Sequence, residues 1–198
     1  MSVPMDPLDY CSAIWASASN NIDIFGAAGL TLGFATSVMP SRTKILITSA
    51  ACGLCFSAHY LHLGSATGMA MAAISTAQSL VAARYGSPSR RPGWFNMAFA
   101  LSILLIAVLT ITTWNGLPSA LAGVGALFAT LARMQTSSQA IRLLLLSATL
   151  CCAGHNAIVG SACGLTCDLL AISGFTVTLV RRRWFVRLPE ADASFARG

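Results

Sequence analysis

The sequence predicts an all-α membrane protein: seven transmembrane helices in a parallel 3+1+3 repeat of triple-helix bundles, N-terminus outside and C-terminus inside. Three observations lead there. Of 198 residues, 56% are hydrophobic and 9% charged, with a mean hydropathy of +0.72. A water-facing domain carries about a quarter charged residues, so lipid must cover much of this surface. Seven apolar stretches approach the ~20 residues that a bilayer crossing needs. They are roughly 22–39, 44–63, 65–83, 95–113, 117–133, 141–159 and 162–180. Finally, the twelve basic residues all follow odd-numbered stretches.

Residues 1–21 hold Asp6 and Asp9 but no Lys or Arg, so the positive n-region of a signal peptide is missing. The stretch YCSAIWASASN at 10–20 reads as an interfacial helix or an extension of the first span. Gly26, Gly29 and Gly33 give the first span a small-residue face for packing. Arg42 and Lys44 follow it. The second and third spans are separated only by a turn at Gly64, and Arg84, Arg90 and Arg91 come next. The fourth, with FALSILLIAVLTI at 99–111, is bulky and aliphatic and suits peripheral lipid contact. Pro118 opens the fifth as a first-turn residue. Arg133 and Arg142 flank the loop after it. Gly160-Ser161 divides the sixth from the seventh, and Arg181, Arg182, Arg183, Arg187 and Arg197 follow. The positive-inside rule places all these basic loops in the cytoplasm, with each Arg an interfacial anchor. The tail LPEADASFARG after Arg187 is polar and expected to be disordered.

HYLHLGSATG at 59–68 returns as HNAIVGSACG at 155–164, an offset of 96. Ile45, Leu54 and Cys55 match Ile141, Leu150 and Cys151 at the same offset. Upstream the offset is 94, where Gly29 and FAT 34–36 match Gly123 and FAT 128–130. Spans one to three thus echo spans five to seven, and an odd linker span leaves both copies in one orientation. The expected division is an external segment over 1–21 and a first three-helix repeat over 22–86. A linker transmembrane helix over 87–116, a second repeat over 117–183 and a cytoplasmic tail over 184–198 complete it. Gly64, Gly68, Gly160 and Gly164 form a Gly-x3-Gly pair in each copy, where helix backbones can approach closely.

LCCAGHNAIVGSACGLTCDLL at 150–170, with HYLHLGSATG at 59–68 and TAQSLVAARYGS at 76–87, resembles the YgjV-like family of bacterial inner-membrane proteins. The likeness covers about 22–187, and His155, Asn156, Gly160, Ser161 and Asp168 fit its pattern. It implies a multi-pass protein of the bacterial inner membrane, without assigning an activity. More distantly the chain is similar to the SWEET and PQ-loop transporters. Their Pro-Gln pair is replaced here by Pro40-Ser41 and by Met134-Gln135, so no sugar or amino-acid specificity carries over.

Asp168 sits about six residues into the seventh span with no charged neighbour in sequence. A carboxylate in hydrocarbon costs several kcal/mol unless it is paired, hydrated or protonated, which suits a cavity and proton coupling. The competing reading is a protonated Asp bonded to a neighbouring helix. His59 and His155 lie near the outer boundary, beside Asn156 in the second copy. The candidate substrate-binding set is His155, Asn156, Asp168, His59 and Gln78, with Ser75 and Ser173 as further lining. Against it, each imidazole would only lock its hairpin by bonding a backbone carbonyl. Asp23 reads as a hydrated residue at the outer mouth.

Cys55 with His59 and Cys151 with His155 put a thiol and an imidazole one helical turn apart, so a Cys2His2 metal site needs weighing. Cys52, Cys55, His59 and His62 spread over roughly 15 Å of helix at 1.5 Å per residue and cannot share one ion. No metal and no cofactor is expected, and the seven cysteines read as small core residues. No Gly-x-Ser-x-Gly elbow, phosphate loop or metalloprotease helix occurs, so an enzyme is not expected. Basic clusters lie between apolar runs without interleaved aromatics, which argues against nucleic acid. The expected partners are the lipid bilayer and a polar small-molecule solute, with a homo-oligomer left open. The function that fits best is a small-solute transporter or permease, with Asp168 as a proton-coupling carboxylate. The alternative is a non-transporting scaffold, partner subunit or sensor.

Overall fold

Seven α-helices form among the described residues of the computed structural model, which are 23–62, 66–159 and 161–186. They are α1 (Ile24–Val38), α2 (Arg42–His62), α3 (Ala66–Tyr85), α4 (Trp94–Thr112), α5 (Leu117–Met134), α6 (Ser138–Val159) and α7 (Ala162–Val186). A short 3-10 turn, Pro88–Arg90, sits between α3 and α4. Local chemistry sets several of the starts. Asp23 caps α1 by accepting from the Gly26 N–H at 2.5 Å. Ser161 does the same for α7 through the Gly164 N–H at 3.3 Å. Gly116, at φ +73°, supplies the left-handed turn that lets α5 begin straight after α4. Gly64, Gly160, the segment 1–21 and the tail 187–198 lie outside the described residues.

The helices fall close to the seven apolar stretches, but seven crossings do not follow. Five helices among the described residues are long and apolar enough to cross a membrane: α2, α4, α5, α6 and α7. With 15 residues, α1 reaches only about 22 Å at 1.5 Å per residue, short of a ~30 Å hydrocarbon core. The third helix, Ala66–Tyr85, is not among the five. The N-out, C-in assignment rested on seven alternating crossings and falls with them.

Nor do two triple-helix bundles form, and no repeat pattern emerges. Instead, α1 packs on α2 and on α7, α2 on α3, α3 on α5, α5 on α6, and α6 on α7. Six helices therefore close a single ring, α1–α2–α3–α5–α6–α7, whose first and last members meet. The fourth helix stands outside it against α5 and α3. Its Met97, Leu101, Leu104 and Ile111 are exposed, as a lipid-facing surface requires. Glycines bring α1 close to its neighbours. Gly26 faces His59, Gly29 faces the Phe56 ring, and Gly33 faces the thiols of Cys167 and Cys52.

Apolar side chains pack in two clusters toward one end of the bundle. Ile45, Ala132, Ile141, Leu145, Ala171 and Phe175 form one cluster, and Leu46, Ala82, Phe95 and Phe99 another. The same end carries four arginines, and they are not simple interfacial anchors. Arg42 donates to the carbonyls of Gln135 at 2.9 Å and Ala82 at 3.0 Å. Arg91 donates to those of Met134 at 2.8 Å and Gly86 at 3.1 Å. Arg142, 1% exposed, donates to the Met39 carbonyl at 2.6 Å. These carbonyls lie at the C-terminal ends of α1, α3 and α5, where guanidinium groups serve them in place of scarce water; that of Ala82 also accepts the Gly86 N–H at 2.9 Å. Arg133, 4% exposed, reaches no such carbonyl.

Candidate functional site

Inside the ring lies a cavity of about 310 Å³. All six ring helices line it, and α4 does not. Its wall is largely apolar, and its polar groups are few. Asp168 and Asn156 stand together on the α7–α6 wall, with His155 and Cys152 beside them. Tyr60, Phe56, Ser49 and Cys52 come from α2, and Ser75 comes from α3. Asp168 is the one carboxylate or guanidinium among the lining side chains.

The pairing of Asp168 with Asn156 is direct: Asn156 Nδ2–H donates to Asp168 Oδ2 at 2.8 Å. The second carboxylate oxygen, Oδ1, takes no hydrogen bond from any described residue. Asn156 is 4% exposed, and its own Oδ1 is buried without a donor. It is wedged against Gly164, where any side chain would strike the amide. The small residue at 164 is what lets α6 and α7 approach closely enough for the Asn156–Asp168 bond.

His155 also lines the cavity, but its Nδ1–H donates to the Pro118 carbonyl at 2.9 Å. A carbonyl can only accept, so Nδ1 carries a proton in this bond. The imidazole thus fastens α6 to the first turn of α5. His59 is fully buried at 1% exposure and does not reach the cavity. Its Nδ1 lies 3.0 Å from Asp23 Oδ1, and that of His62 lies 3.2 Å from Asp23 Oδ2. Two of the candidate residues are therefore absent from the site. His59 belongs to the α1–α2 joint, and Gln78 sits one layer behind the wall, bonded to Thr130 and Arg133. Ser173 is also absent, its hydroxyl donating to the Leu169 carbonyl on an exposed face. Gly68 and Gly164 border the cavity.

Sequence reasoning missed Asp23, which is structural rather than merely hydrated. Burial acts to raise its pKa, but the Gly26 N–H and then the His59 and His62 imidazoles hold it below the usual 3.8. A lowered carboxylate stabilises the fold at every pH above its unfolded value, and that contribution disappears as pH falls through the folded value. Wild-type protein is thus expected to melt higher than Asp23→Asn at pH 5. That advantage should shrink below pH 3.8 and vanish once Asp23 is protonated in both states. Thermal melting of both proteins at pH 5, 4 and 3 checks this, and a constant gap would contradict it.

A model of bacterial inner membrane proteins, Imp-YgjV, matches residues 21–184. The chain belongs to the Imp-YgjV family. Its place is the bacterial inner membrane, which it spans more than once. The whole cavity wall and all of the ring but the last two residues of α7 lie within the matched segment of this Imp-YgjV chain. No curated protein and no solved structure matches it.

Proposed function

We propose that this protein carries a small polar solute across the inner membrane, as a transporter or permease, with Asp168 as its proton-coupling carboxylate. The observation that supports this is a membrane-embedded cavity of about 310 Å³ whose one lining carboxylate keeps a free oxygen. An ionisable group inside a bundle is retained at a cost of several kcal/mol, and a cavity that hydrates or pairs it is the usual setting for a solute or proton path. The Asn156 amide fixes the carboxyl plane, and the exposed oxygen is the natural acceptor for a proton or a solute donor. The reading assigns the chain no catalysis. It leans on the cavity, not on the likeness to SWEET and PQ-loop transporters, which the ring packing and the comparisons do not support.

Uptake into proteoliposomes tests it, with labelled sugars, amino acids, vitamins and cations offered under an inward proton gradient. At least one solute is expected to accumulate, and dissipating the gradient is expected to slow it. Intact protein that moves none of them would turn the reading to a non-transporting scaffold, partner subunit or sensor.

A further inference from the structure

Arg133 is a buried cation with no anion among the described residues. Its Nε–H donates to Ser79 Oγ at 2.7 Å and its Nη1–H to Gln78 Oε1 at 3.4 Å, while Nη2–H donates to Ser75 Oγ. All three partners are neutral. Asp23 and Asp168 are the acidic residues among the described ones, and neither bonds it. A buried charge is normally paired, because leaving it unpaired forfeits several kcal/mol of solvation.

The direction of these bonds decides what the cavity wall presents. Arginine can only donate, so Ser75 and Ser79 must accept from it with their oxygens. The Ser75 proton is then left over, and Ser75 lines the cavity. Ser79 passes its own proton to Ser49 Oγ at 3.5 Å, which leaves the Ser49 proton over as well, again on the cavity wall. The lining threonines behave differently. Thr36 donates to the Leu32 carbonyl at 2.8 Å and Thr149 to the Leu145 carbonyl at 2.7 Å, so their protons are committed within their own helices. Neither serine hydroxyl makes such a bond. Gln78 Nε2, also buried and without an acceptor, adds a further unfilled donor behind Ser75. This wall presents two uncommitted hydroxyl protons, with a positive charge behind it. In the ring order it stands across from α7, which carries Asp168.

We propose that the donor wall of Ser75 and Ser49, backed by Arg133, binds the carboxylate of a small organic acid. Two hydroxyl protons on adjacent helices match the two oxygens of a carboxylate, and the guanidinium supplies the charge through them. This names a substrate class for the cavity, and as a transport substrate it rests on the carrier reading above.

The test is melting of detergent-purified protein at constant pH and ionic strength, titrated with acetate, its neutral isostere acetamide, ethylamine and chloride. A ligand of the folded state raises the melting temperature by mass action. Acetate is expected to stabilise the protein, and acetamide, ethylamine and chloride much less. Ser75→Ala, which takes one hydroxyl from the wall and one of three acceptors from Arg133, is expected to weaken acetate about tenfold, the scale of one hydrogen bond to a charged group. Arg133→Gln is expected to abolish the response. Should that variant not fold, the double variant Ser49→Ala with Ser75→Ala decides in its place. Equal stabilisation by acetate and acetamide, or by acetate and chloride, overturns the site, and so does an unchanged acetate titration in Ser75→Ala. Uptake separates the two ideas. Acetate binding without uptake of any solute removes the carrier and leaves the site, whereas solute uptake with no carboxylate binding removes the site and leaves the carrier.

Discussion

Asp168→Asn is expected to abolish proton-driven solute uptake while leaving the protein folded. Asparagine has the shape of aspartate, and its amide carbonyl still accepts the Asn156 Nδ2–H that Asp168 Oδ2 accepts at 2.8 Å. The packing of α6 against α7 through Gly164 is untouched. What disappears is the charge and the oxygen that faces the cavity. A hydrogen bond to a charged group contributes about 1.5–3 kcal/mol, roughly 10- to 100-fold in affinity for a solute that donates to it. The unliganded variant should melt at the wild-type temperature or slightly above, since a charge in hydrocarbon has been removed. Uptake and ligand-dependent melting, measured side by side, read both parts. An active variant with normal gradient dependence would sink the proton-coupling role.

Gly164→Ala should damage stability and binding together. A Cβ there would lie 2.6 Å from Asn156 Nδ2, 2.7 Å from its Cγ and 2.8 Å from its Oδ1. The amide cannot simply swing aside, because it is buried and bonded to Asp168. Overpacking of this kind costs about 1–3 kcal/mol. Replacing a helical glycine by alanine returns only about 0.5–1 kcal/mol, so the clash should win. The predicted signature is a lower melting temperature and a weaker ligand response. Gly93→Ala is the control, because nothing lies within 4 Å of a Cβ at that position, and it should leave both unchanged. A Gly164→Ala protein as stable and as responsive as Gly93→Ala would show that the Asn156–Asp168 bond does not depend on this close approach.

Much of the site was legible in the chain. Asp168 stood out because a lone carboxylate in an apolar run has few explanations, His155 because it recurs as His59 ahead of a Gly-Ser turn, and Asn156 because it follows that His in the family pattern. His59 looked equivalent to His155 by spacing but serves a different place. Its partner, Asp23, comes from the start of α1, 36 residues away, and no local pattern reveals such a pairing. Gln78 points away from the cavity for a similar reason. Its helix has polar residues on more than one side, so periodicity could not say which side faced inward. Arg133 was least legible. At a helix end it reads as an anchor in the membrane interface, and only packing of α5 against α3 makes it a buried cation held by serines.

The sequence by itself determined an all-α membrane protein, the places of its seven helices, and a polar cluster near the sixth and seventh. Those follow from composition and from runs of apolar residues, which are local properties of the chain. The tertiary structure decided how many helices are built to cross the bilayer and which neighbours each one takes. Identical small-residue patterns can pack helices into two bundles or into one ring, because close approach needs only glycine and does not specify the partner. The ring was selected by long-range contacts: α1 against α7 at Gly33 and Cys167, and the arginine bonds that join α2 to the end of α5 and α6 to the end of α1. A cavity belongs to that closure, so its donor and acceptor walls exist only once the ring is formed.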